Sequence, residues 1–392
     1  ADQIAEILKR HENEAAIVYC MSRRETENIA ESLMSRGVNA SAYHAGMDPE
    51  KRRRIQDRFT TERLDVVVAT VAFGMGIDRS DVRCVIHASL PKSVEAYQQE
   101  TGRAGRDGLE AECVLLYSSG DARRWEQLIE STAAEFGNEP DPAQFELVRR
   151  MRSFASSMRC RHKTLSEHFG QAYEPDNCGA CDVCLGEVAM VPESTVVAQK
   201  ILSCIARAAG DTRATYGGAY IADVLRGSRA QKIIERGHDL LSTFGLLKHM
   251  RRDVIVSMID QLVDQELLER APGEFPVLLL TQGSMEVLRS EREVSLLSPP
   301  APTKRARSAD GEDPLSDTQH DVFERLRSLR RRLADEQGVP PYVVFNDATL
   351  REMVRRMPAS SEEMLSIKGV GQAKMQRFGE AFLDELLSAS RG

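Results

Sequence analysis

The chain has 392 residues, enough for about two to four domains that each bury a core of their own. Hydrophobic residues make up 42% and charged residues 29%, a balance typical of globular proteins that excludes a disordered chain. The net charge of −8 excludes a general attraction to polyanions, so a nucleic acid would have to bind at local basic patches. Because no apolar run approaches the roughly 18 residues of a membrane span and the N-terminus carries no export signal, we expect an intracellular protein.

Short apolar runs alternate with amphipathic segments over residues 1–130. Four of these runs predict buried strands: residues 15–20, 65–70, 82–87 and 112–117. One helix is predicted to begin at Ser22, which forms a capping box with Glu25, and another at Asp48 with Pro49. This alternation predicts a parallel sheet with helices on both faces, and the ligands of such sheets gather at the carboxyl ends of the strands.

Residues 99–108, Gln-Glu-Thr-Gly-Arg-Ala-Gly-Arg-Asp-Gly, form a stretch called here the arginine segment. Its glycines allow the backbone to approach a ligand closely and end the helix that residues 93–100 predict. Arg103 and Arg106 should therefore project from a helix end into a cleft. A planar, permanently charged guanidinium suits the charge that develops on a γ-phosphate during nucleotide hydrolysis.

Three glycine-rich or polar segments lie beyond predicted strands: residues 43–47, 70–78 and 99–106. In this order and spacing they resemble motifs IV, V and VI of superfamily 2 helicases. Residues 69–77, Ala-Thr-Val-Ala-Phe-Gly-Met-Gly-Ile, and residues 97–108 are similar to the RecQ family in particular. The resemblance implies the second RecA-like lobe of an ATP-dependent 3′-to-5′ DNA helicase.

The resemblance also implies roles for the matching residues. Arg106 would be the arginine finger, and Arg103 and Gln99 would couple the nucleotide to the interface between the lobes. Three residues would contact ATP, with the first near the ribose unless it only caps a turn: Asp78, Gly76 and Gly102. Residues of the same cleft would contact the DNA backbone, mainly through neutral donors: Thr70, Tyr43, His44, Ser22 and Arg23.

The residues that would complete an ATPase are missing from the sequence. A phosphate-binding loop needs Gly-Lys-Ser or Gly-Lys-Thr after a strand, and no lysine of this sequence follows a glycine. There is also no Asp-Glu-x-His after an apolar strand. We therefore expect the first lobe, which would hold ATP and Mg²⁺, to be absent, and the chain not to hydrolyse ATP by itself. A start inside a helical pattern without methionine fits a fragment.

Four of the eight cysteines are clustered: Cys160, Cys178, Cys181 and Cys184. Four thiolates at these spacings predict a closed tetrahedral site, which is structural because it leaves no position open for a substrate. A disulfide pair is disfavoured without export, whereas an iron–sulfur cluster would use the same ligands. Residues 131–190 resemble the RecQ zinc subdomain, which favours Zn²⁺ and implies a long helix, here residues 142–159, before the first cysteine.

Residues 191–292 follow the winged-helix plan, in which helices precede a hairpin that is used on duplex DNA. The predicted helices and strands are residues 195–209, 252–266, 267–270 and 277–281. The region resembles the RecQ C-terminal domain, whose hairpin wedges at the junction of single-stranded and double-stranded DNA. Phe275 falls at the wing tip, where it would stack on the terminal base pair or fold back onto the domain. Arg251 and Arg252 are candidate phosphate contacts, with solvated surface arginines as the alternative.

A flexible linker is predicted for residues 293–315, which are rich in proline, serine and charge. Residues 316–392, called here the terminal module, resemble the HRDC domain of RecQ helicases, an auxiliary DNA-binding bundle. Tyr342 is a candidate for base stacking or for filling the small core, and Lys368 lies in a helix-hairpin-helix turn whose glycine amides can meet a phosphate. Five arginines crowd one predicted helix, residues 322–336, and are expected to attract DNA: Arg325, Arg327, Arg330, Arg331 and Arg332.

The expected architecture is multidomain: an α/β RecA-like lobe with a parallel sheet, a helical zinc-binding subdomain, a winged-helix domain and a small all-α HRDC bundle. The resemblance implies DNA junctions, ATP and a single-strand-binding protein as partners, in repair, recombination, replication and the SOS response. It also implies the cytoplasm of a bacterium, at the nucleoid and away from membranes. As an isolated fragment, the chain would instead be a non-catalytic, zinc-containing DNA-binding module.

Overall fold

The computed structural model describes residues 1–74, 79–210, 215–271, 277–298 and 315–390. The chain divides into two units, of which the first is Ala1–Tyr117 with Ala306–Gly392 and the second is Ser118–Arg305. Most of the predicted linker, residues 299–314, lies outside the described residues. Each unit has its own apolar core.

The first unit contains a five-stranded sheet in the order β2-β3-β1-β4-β5, and all its pairings are parallel. The strands are β1 (Ala15–Tyr19), β2 (Ala40–Tyr43), β3 (Val66–Ala69), β4 (Val82–His87) and β5 (Glu112–Leu115). Strands β1, β3 and β4 are buried along their whole length, as expected for parallel strands covered on both faces. The predicted parallel sheet is confirmed.

Helices pack on both faces of this sheet, as predicted. They are α1 (Asp2–Leu8), α2 (Arg23–Met34), α3 (Pro49–Thr60) and α4 (Val94–Thr101), with a 3₁₀ turn at Lys9–His11. On one face, Ile4 and Leu33 belong to a buried cluster with Val18 of β1. On the other face, Phe59 packs with Ile17 of the same strand. Alternate residues of β1 thus supply two separate cores.

The second unit is mainly helical. Its helices are α5 (Ser119–Glu135), α6 (Pro142–Ser156), α7 (Arg161–His168), α8 (Ser194–Ala209), α9 (Gly218–Leu225), α10 (Gln231–Ile234), α11 (Arg252–Asp264) and α12 (Gln282–Leu288), with a 3₁₀ turn at His238–Leu240. Its strands are β6 (Ala189–Met190), β7 (Leu268–Ala271), β8 (Val277–Leu280) and β9 (Leu297–Ser298). Helices α8, α9 and α11 surround one core that includes Ile201, Ile221 and Ile259.

Two predictions for this unit are refined. The helix predicted to run to residue 159 ends at Ser156, because Ser157 is extended and Arg161 Nη1 donates a hydrogen bond back to Phe154 O at 2.6 Å. The predicted hairpin is the antiparallel pair β7–β8, in which Leu268 lies opposite Leu280. Phe275, predicted at the wing tip, lies outside the described residues.

The terminal module is a helical bundle. It contains α13 (Asp317–Gln337), α14 (Pro341–Val344), α15 (Asp347–Arg356), α16 (Ser361–Leu365), α17 (Gln372–Lys374) and α18 (Glu380–Ala389), with a π-helical turn at Met375–Gly379. Ser316 and Gln319 form a capping box that begins α13 five residues before the predicted start. Phe345 and Phe382 meet edge to face at 5.0 Å in the centre of the bundle.

A buried arginine of the terminal module packs on the sheet-bearing lobe. The side chain of Arg330 on α13 is 1% exposed. Its Nη2 donates to Glu62 Oε1 at 2.9 Å, its Nη1 donates to Phe345 O at 2.9 Å, and Nη1 also lies 2.7 Å from Asp347 Oδ1. Glu62 belongs to the turn between α3 and β3 and is itself buried. Because a buried charge requires partners, this contact fixes where the module lies on the lobe.

A second buried ion pair lies beside this contact. Arg79 Nε donates to Asp81 Oδ1 at 2.7 Å, just before β4. Burial disfavours the charged form of Asp81, but Arg79 outweighs that effect and holds the pKa of the carboxyl below its usual range. Arg330 and Arg327 of the terminal module lower the same pKa further. The electrostatic environment of Asp81 therefore includes both the lobe and the module.

The prediction that all five arginines of α13 attract DNA is wrong for two of them. Arg327 is 6% exposed and Arg330 is 1% exposed, because both face the lobe. Arg325 is exposed and donates to Glu385 at 2.7 Å. Arg331 is half-buried and Arg332 is exposed. Two of the five arginines thus hold the module on the lobe, and Arg325 and Arg332 face solvent.

Replacing Arg330 with methionine should lower the free energy of unfolding of the first unit by roughly 3–5 kcal/mol, because Glu62 and Asp347 would remain buried without their partner. Denaturant titration measures this change. Arg332→Met, at an exposed position of the same helix, is the matched control and should change stability by less than about 0.5 kcal/mol. Equal losses in the two variants would contradict the assignment of a buried ionic contact.

Candidate functional site

The parallel sheet brings the five predicted DNA-contact residues of the lobe to one edge. In order of the strands they follow, these are Ser22 and Arg23 after β1, Tyr43 and His44 at the end of β2, and Thr70 after β3. Thr70 N donates to Tyr43 O at 3.2 Å, which ties the ends of β2 and β3 together. This edge is the carboxyl edge, where ligands of parallel sheets bind.

Ser22 and Arg23 begin helix α2. Ser22 Oγ accepts a hydrogen bond from Glu25 N at 3.2 Å, so the predicted N-cap is present. Arg23 is exposed, and its side chain extends over Gly46 in the loop that follows β2. Its guanidinium therefore lies at the surface of the carboxyl edge.

Tyr43 and His44 are buried. The Tyr43 ring packs edge-on against Phe73 with 4.7 Å between the ring centroids. His44 Nε2 lies 3.1 Å from Glu27 Oε1 on α2. Because these side chains are buried beneath the edge, a DNA contact at this point would be made by the backbone of the loop that follows them. The predicted DNA-binding role of this loop stays a prediction.

The arginine segment leaves the end of helix α4, as predicted. Ser93 Oγ caps the start of this helix by accepting from Ala96 N at 3.2 Å. The helix ends at Thr101, and Gln99 in its last turn is exposed. Arg106 is also exposed, and its Nε donates to Gly102 O at 3.3 Å.

Arg103 reaches the loop that follows β3. Its Nη1 donates to Gly74 O at 2.6 Å. In the same region, the Tyr19 hydroxyl at the end of β1 donates to Phe73 O at 3.1 Å. Burial raises the pKa of Tyr19 above its usual range, and the nearby Arg103 opposes this rise. Gly76 and Asp78, the two predicted ATP contacts of this loop, lie outside the described residues.

One end of the arginine segment is tied to the carboxyl end of β4. His87, the last residue of that strand, is 1% exposed, and its Nε2 lies 2.7 Å from Glu100 Oε2. The imidazole ring is stacked on Tyr19, with centroids 5.4 Å apart, and lies 5.1 Å from the ring of Tyr97. Because no described residue bonds His87 Nδ1, the proton is assigned to Nε2, which donates to Glu100.

The other end is tied to the beginning of β4. Arg83 Nη2 donates to Asp107 Oδ1 at 2.5 Å, and both side chains are buried. Burial raises the pKa of Asp107, and the ion pair with Arg83 opposes that rise. Gly105 N donates to Val82 O at 3.0 Å. Gly105 has φ +65°, and a Cβ there would lie 2.9 Å from Leu109 O, so a side chain would strain this turn.

The sequence prediction missed these four fixing residues: Arg83, His87, Glu100 and Asp107. A signal was available, because Arg83 and His87 are the polar members of a strand that otherwise reads as a buried apolar run. A polar side chain in such a strand needs a partner. Its partners could not be named from spacing alone.

The four clustered cysteines converge in the second unit. Their sulfur atoms lie within 4.8 Å of one another, at the distances that ligands of one tetrahedral ion require. Backbone N–H groups point at the sulfurs, among them Arg161 N to Cys181 Sγ at 3.4 Å and Lys163 N to Cys160 Sγ at 3.5 Å. Burial would raise the pKa of Cys181, but hydrogen bonds from the N–H groups of Arg161 and Cys184 and from the neighbouring cysteine thiols outweigh it and lower the pKa to about 7. The donor set suits a thiolate-bound metal ion.

The remaining predicted DNA contacts lie on other surfaces. Arg251 and Arg252 are exposed at the start of α11, where they pair with Asp253 and with Asp223, the latter at 2.9 Å. In the terminal module, Tyr342 is half-buried on α14. Lys368 is exposed, and its carbonyl accepts from Thr349 Oγ1 at 3.0 Å.

Comparison with family models assigns a class to each part of the chain. Residues 1–108 match the helicase conserved C-terminal domain, and residues 119–185 match the RecQ zinc-binding domain. Residues 191–305 match the RQC domain, and residues 319–386 match the HRDC domain. The sheet with its arginine segment is therefore a helicase lobe, and the four-cysteine cluster is a structural zinc site.

Whole-chain comparison identifies the family. The ATP-dependent DNA helicase RecQ of Bacillus subtilis (strain 168) is 39% identical over 389 residues, which cover 99% of this chain and 62% of the relative. The protein of the same name from Haemophilus influenzae is 40% identical over 385 residues, 97% of this chain and 61% of the relative. The chain belongs to the RecQ family and corresponds to the C-terminal part of its helicases. It spans about three fifths of the length of these relatives.

Solved structures add little to this assignment. The crystal structure of the E. coli DEAD-box protein SrmB bound to regulator of ribonuclease activity A is 27% identical, with a TM-score of 0.29. It covers 36% of this chain and 79% of that chain. A TM-score this low is not evidence for a shared overall fold. Within the described ranges, no helix combines the length and the apolarity needed to cross a bilayer.

Removing the metal should unfold the zinc subdomain, because a structural ion contributes folding free energy directly. We expect Cys181→Ser to lose bound zinc, measured by elemental analysis, and to lower the melting temperature. Cys204→Ser, at a buried cysteine outside the cluster, is the control for loss of a buried thiol and should keep its zinc. An unchanged zinc content in Cys181→Ser would contradict the site.

Proposed function

We propose that the chain is the C-terminal part of an ATP-dependent 3′-to-5′ DNA helicase of the RecQ family. The observation that carries the proposal is the arginine segment, which lies beside the carboxyl edge of a parallel sheet in a chain with four RecQ-type domains. In such an enzyme, ATP-driven closure of two lobes moves one strand while the wing separates the duplex.

Arg106 is proposed to be the arginine finger. Its exposed side chain, in the turn that follows α4, can meet the charge that develops on the γ-phosphate when a first lobe supplies the nucleotide. Arg103 and Gln99 are proposed to couple that nucleotide to the lobe interface. The hydrogen bond from Arg103 to Gly74 supports such coupling, because it joins the arginine segment to the loop after β3. Three residues are proposed to contact ATP itself: Gly76, Asp78 and Gly102.

DNA is proposed to bind at the carboxyl edge of the lobe, at the wing and on the terminal module. At the lobe edge, Arg23 and Thr70 offer a guanidinium and a hydroxyl to phosphates, beside the loop of Tyr43 and His44 and the helix cap Ser22. The other proposed contacts are Arg251, Arg252, Phe275, Tyr342 and Lys368. The exposure of Arg251, Arg252 and Lys368 supports this assignment.

Domain boundaries are proposed from the sequence patterns. They place the helicase lobe at residues 1–130, the zinc subdomain at 131–190, the winged helix at 191–292, the linker at 293–315 and the HRDC domain at 316–392. The first residues of this linker pack on the second unit, because Leu296 is buried in its core and β9 pairs with β6. Zn²⁺ at the four cysteines has a structural role in this scheme, whereas ATP and Mg²⁺ bind only when a first lobe is present. The names of the relatives support DNA and ATP as the substrates.

The proposed setting is DNA repair, recombination and replication, including the SOS response, in the cytoplasm of a bacterium and at its nucleoid. A single-strand-binding protein is a proposed partner. A non-catalytic, zinc-containing DNA-binding module is the second candidate function of these 392 residues. The absence of any Gly-Lys pair from the sequence favours it, because no phosphate-binding loop can form without that lysine.

The purified 392-residue chain should bind DNA but show no DNA-stimulated ATP hydrolysis, since it has no phosphate-binding loop. Phosphate release with and without single-stranded DNA measures this. A zinc-free sample serves as the control for contaminating ATPases. Turnover that copurifies with the folded chain and rises with DNA would contradict the expectation.

In a chain joined to a first lobe, Arg106→Ala should lower kcat for ATP by about 10³-fold or more, because the transition-state charge loses its partner. DNA affinity, measured by fluorescence anisotropy, should stay unchanged. Arg124→Ala, at a mostly exposed arginine on α5, is the matched control. A parallel loss of DNA affinity in Arg106→Ala would remove the basis for the arginine-finger assignment.

A further inference from the structure

We propose that Glu100 and Asp107 are positioning residues that set Arg103 and Arg106 in place by tying the arginine segment to the two ends of β4. This inference deepens the proposed ATPase function and rests on it for its catalytic meaning. The two ties themselves are hydrogen bonds within the lobe and do not depend on that function. Neither residue is proposed to touch ATP.

The carboxyl-end tie consists of Glu100 and His87. Glu100 is the residue before Thr101, where α4 ends, so its position sets where Arg103 begins to diverge from the helix axis. Glu100 is 7% exposed, and its Oε2 lies 2.7 Å from His87 Nε2. His87 cannot shift freely, because Tyr19 and Tyr97 flank its ring. The end of α4 is thereby held against a rigid strand.

The amino-end tie consists of Asp107 and Arg83. Arg83 is held by three backbone carbonyls in addition to its ion pair: Asp81 O at 3.2 Å, Glu110 O at 3.0 Å and Ser80 O at 3.4 Å. Asp107 also accepts from Leu109 N at 3.2 Å. A guanidinium with this many fixed partners has one orientation, so the residue next to Arg106 has one position.

The two ties lie on either side of the arginines. Glu100 precedes Arg103 and Asp107 follows Arg106, while Gly105 N bonds Val82 O between them. The segment therefore runs back along β4, from its last residue to its first. An arginine that must meet a transition state is sensitive to displacement, and a shift of about 1 Å can cost on the order of 10²-fold in rate.

A purely structural role for these buried pairs is the competing explanation, and the lobe offers a matched control for it. Arg79 and Asp81 form a buried arginine–aspartate pair of the same type, also next to β4. Within the described part of the chain, these two side chains bond each other, Phe59 O and Leu64 O, and do not reach the arginine segment. Asp81→Ala should destabilise the lobe without moving Arg106. The effects of Asp107→Ala can therefore be compared with those of an equivalent loss.

The first experiment uses the 392-residue chain and follows amide hydrogen exchange. Glu100→Ala and Asp107→Ala should speed exchange across residues 102–109 at least tenfold, whereas Asp81→Ala should leave that stretch protected. Glu100→Gln and Asp107→Asn keep an acceptor oxygen and should restore most of the protection. Unchanged exchange in both alanine variants, or an equal rise in Asp81→Ala, would overturn the proposal. The Gln and Asn variants decide the question if an alanine variant does not fold.

The second experiment adds a first lobe and measures ATP turnover. Glu100→Ala and Asp107→Ala should lower kcat by about 10²-fold with KM for ATP unchanged, and the Gln and Asn variants should recover most of it. Asp81→Ala should retain the parent kcat below its melting temperature. Losses confined to KM, or equal in Asp81→Ala, would overturn the positioning role. If the two-lobe parent does not hydrolyse ATP, the proposed function fails while the exchange result still decides the ties.

Discussion

The fourth strand of the sheet carries the buried polar groups on which the other parts of the first unit depend. A charge placed beside a strand that is covered on both faces has no water to stabilise it, so each needs a partner from another segment. Arg83 takes Asp107, and His87 takes Glu100. The polar residues of one strand thus set the positions of segments that are distant in the sequence.

The same constraint explains why the terminal module has a fixed place on the lobe. Glu62 lies in a buried turn near the Arg79–Asp81 pair. Its hydrogen-bond partner is Arg330, 268 positions away in the sequence. The negative charge of Asp347 in the module raises the pKa of Asp107 further. Asp107, which is next to Arg106, and the groups that hold the module therefore share one electrostatic neighbourhood at the beginning of β4.

Much of this architecture could be predicted from the sequence, and the limits have physical causes. Parallel strands buried on both faces are continuous apolar runs, so β1, β3 and β4 were predictable, and four cysteines at short spacing identified the metal site. Charge pairing between distant segments leaves no periodic trace, so the sequence predicts Arg330 at the surface, where most arginines lie. Helix α6 ends before the predicted residue 159 for a similar reason. Its last turn is closed by a hydrogen bond from Arg161, a side chain that lies beyond the helix.

The burial of Arg327 and Arg330 limits how salt can act on the DNA binding that is proposed for the terminal module. Each arginine that neutralises a phosphate releases condensed counterions and steepens the fall of affinity with salt. With two of its five arginines turned to the lobe, helix α13 can bring no more than Arg325, Arg331 and Arg332 to a phosphate backbone. In a plot of log affinity against log salt concentration, helix α13 then contributes at most about 2 to 3 to the magnitude of the slope, as long as the module stays docked on the lobe.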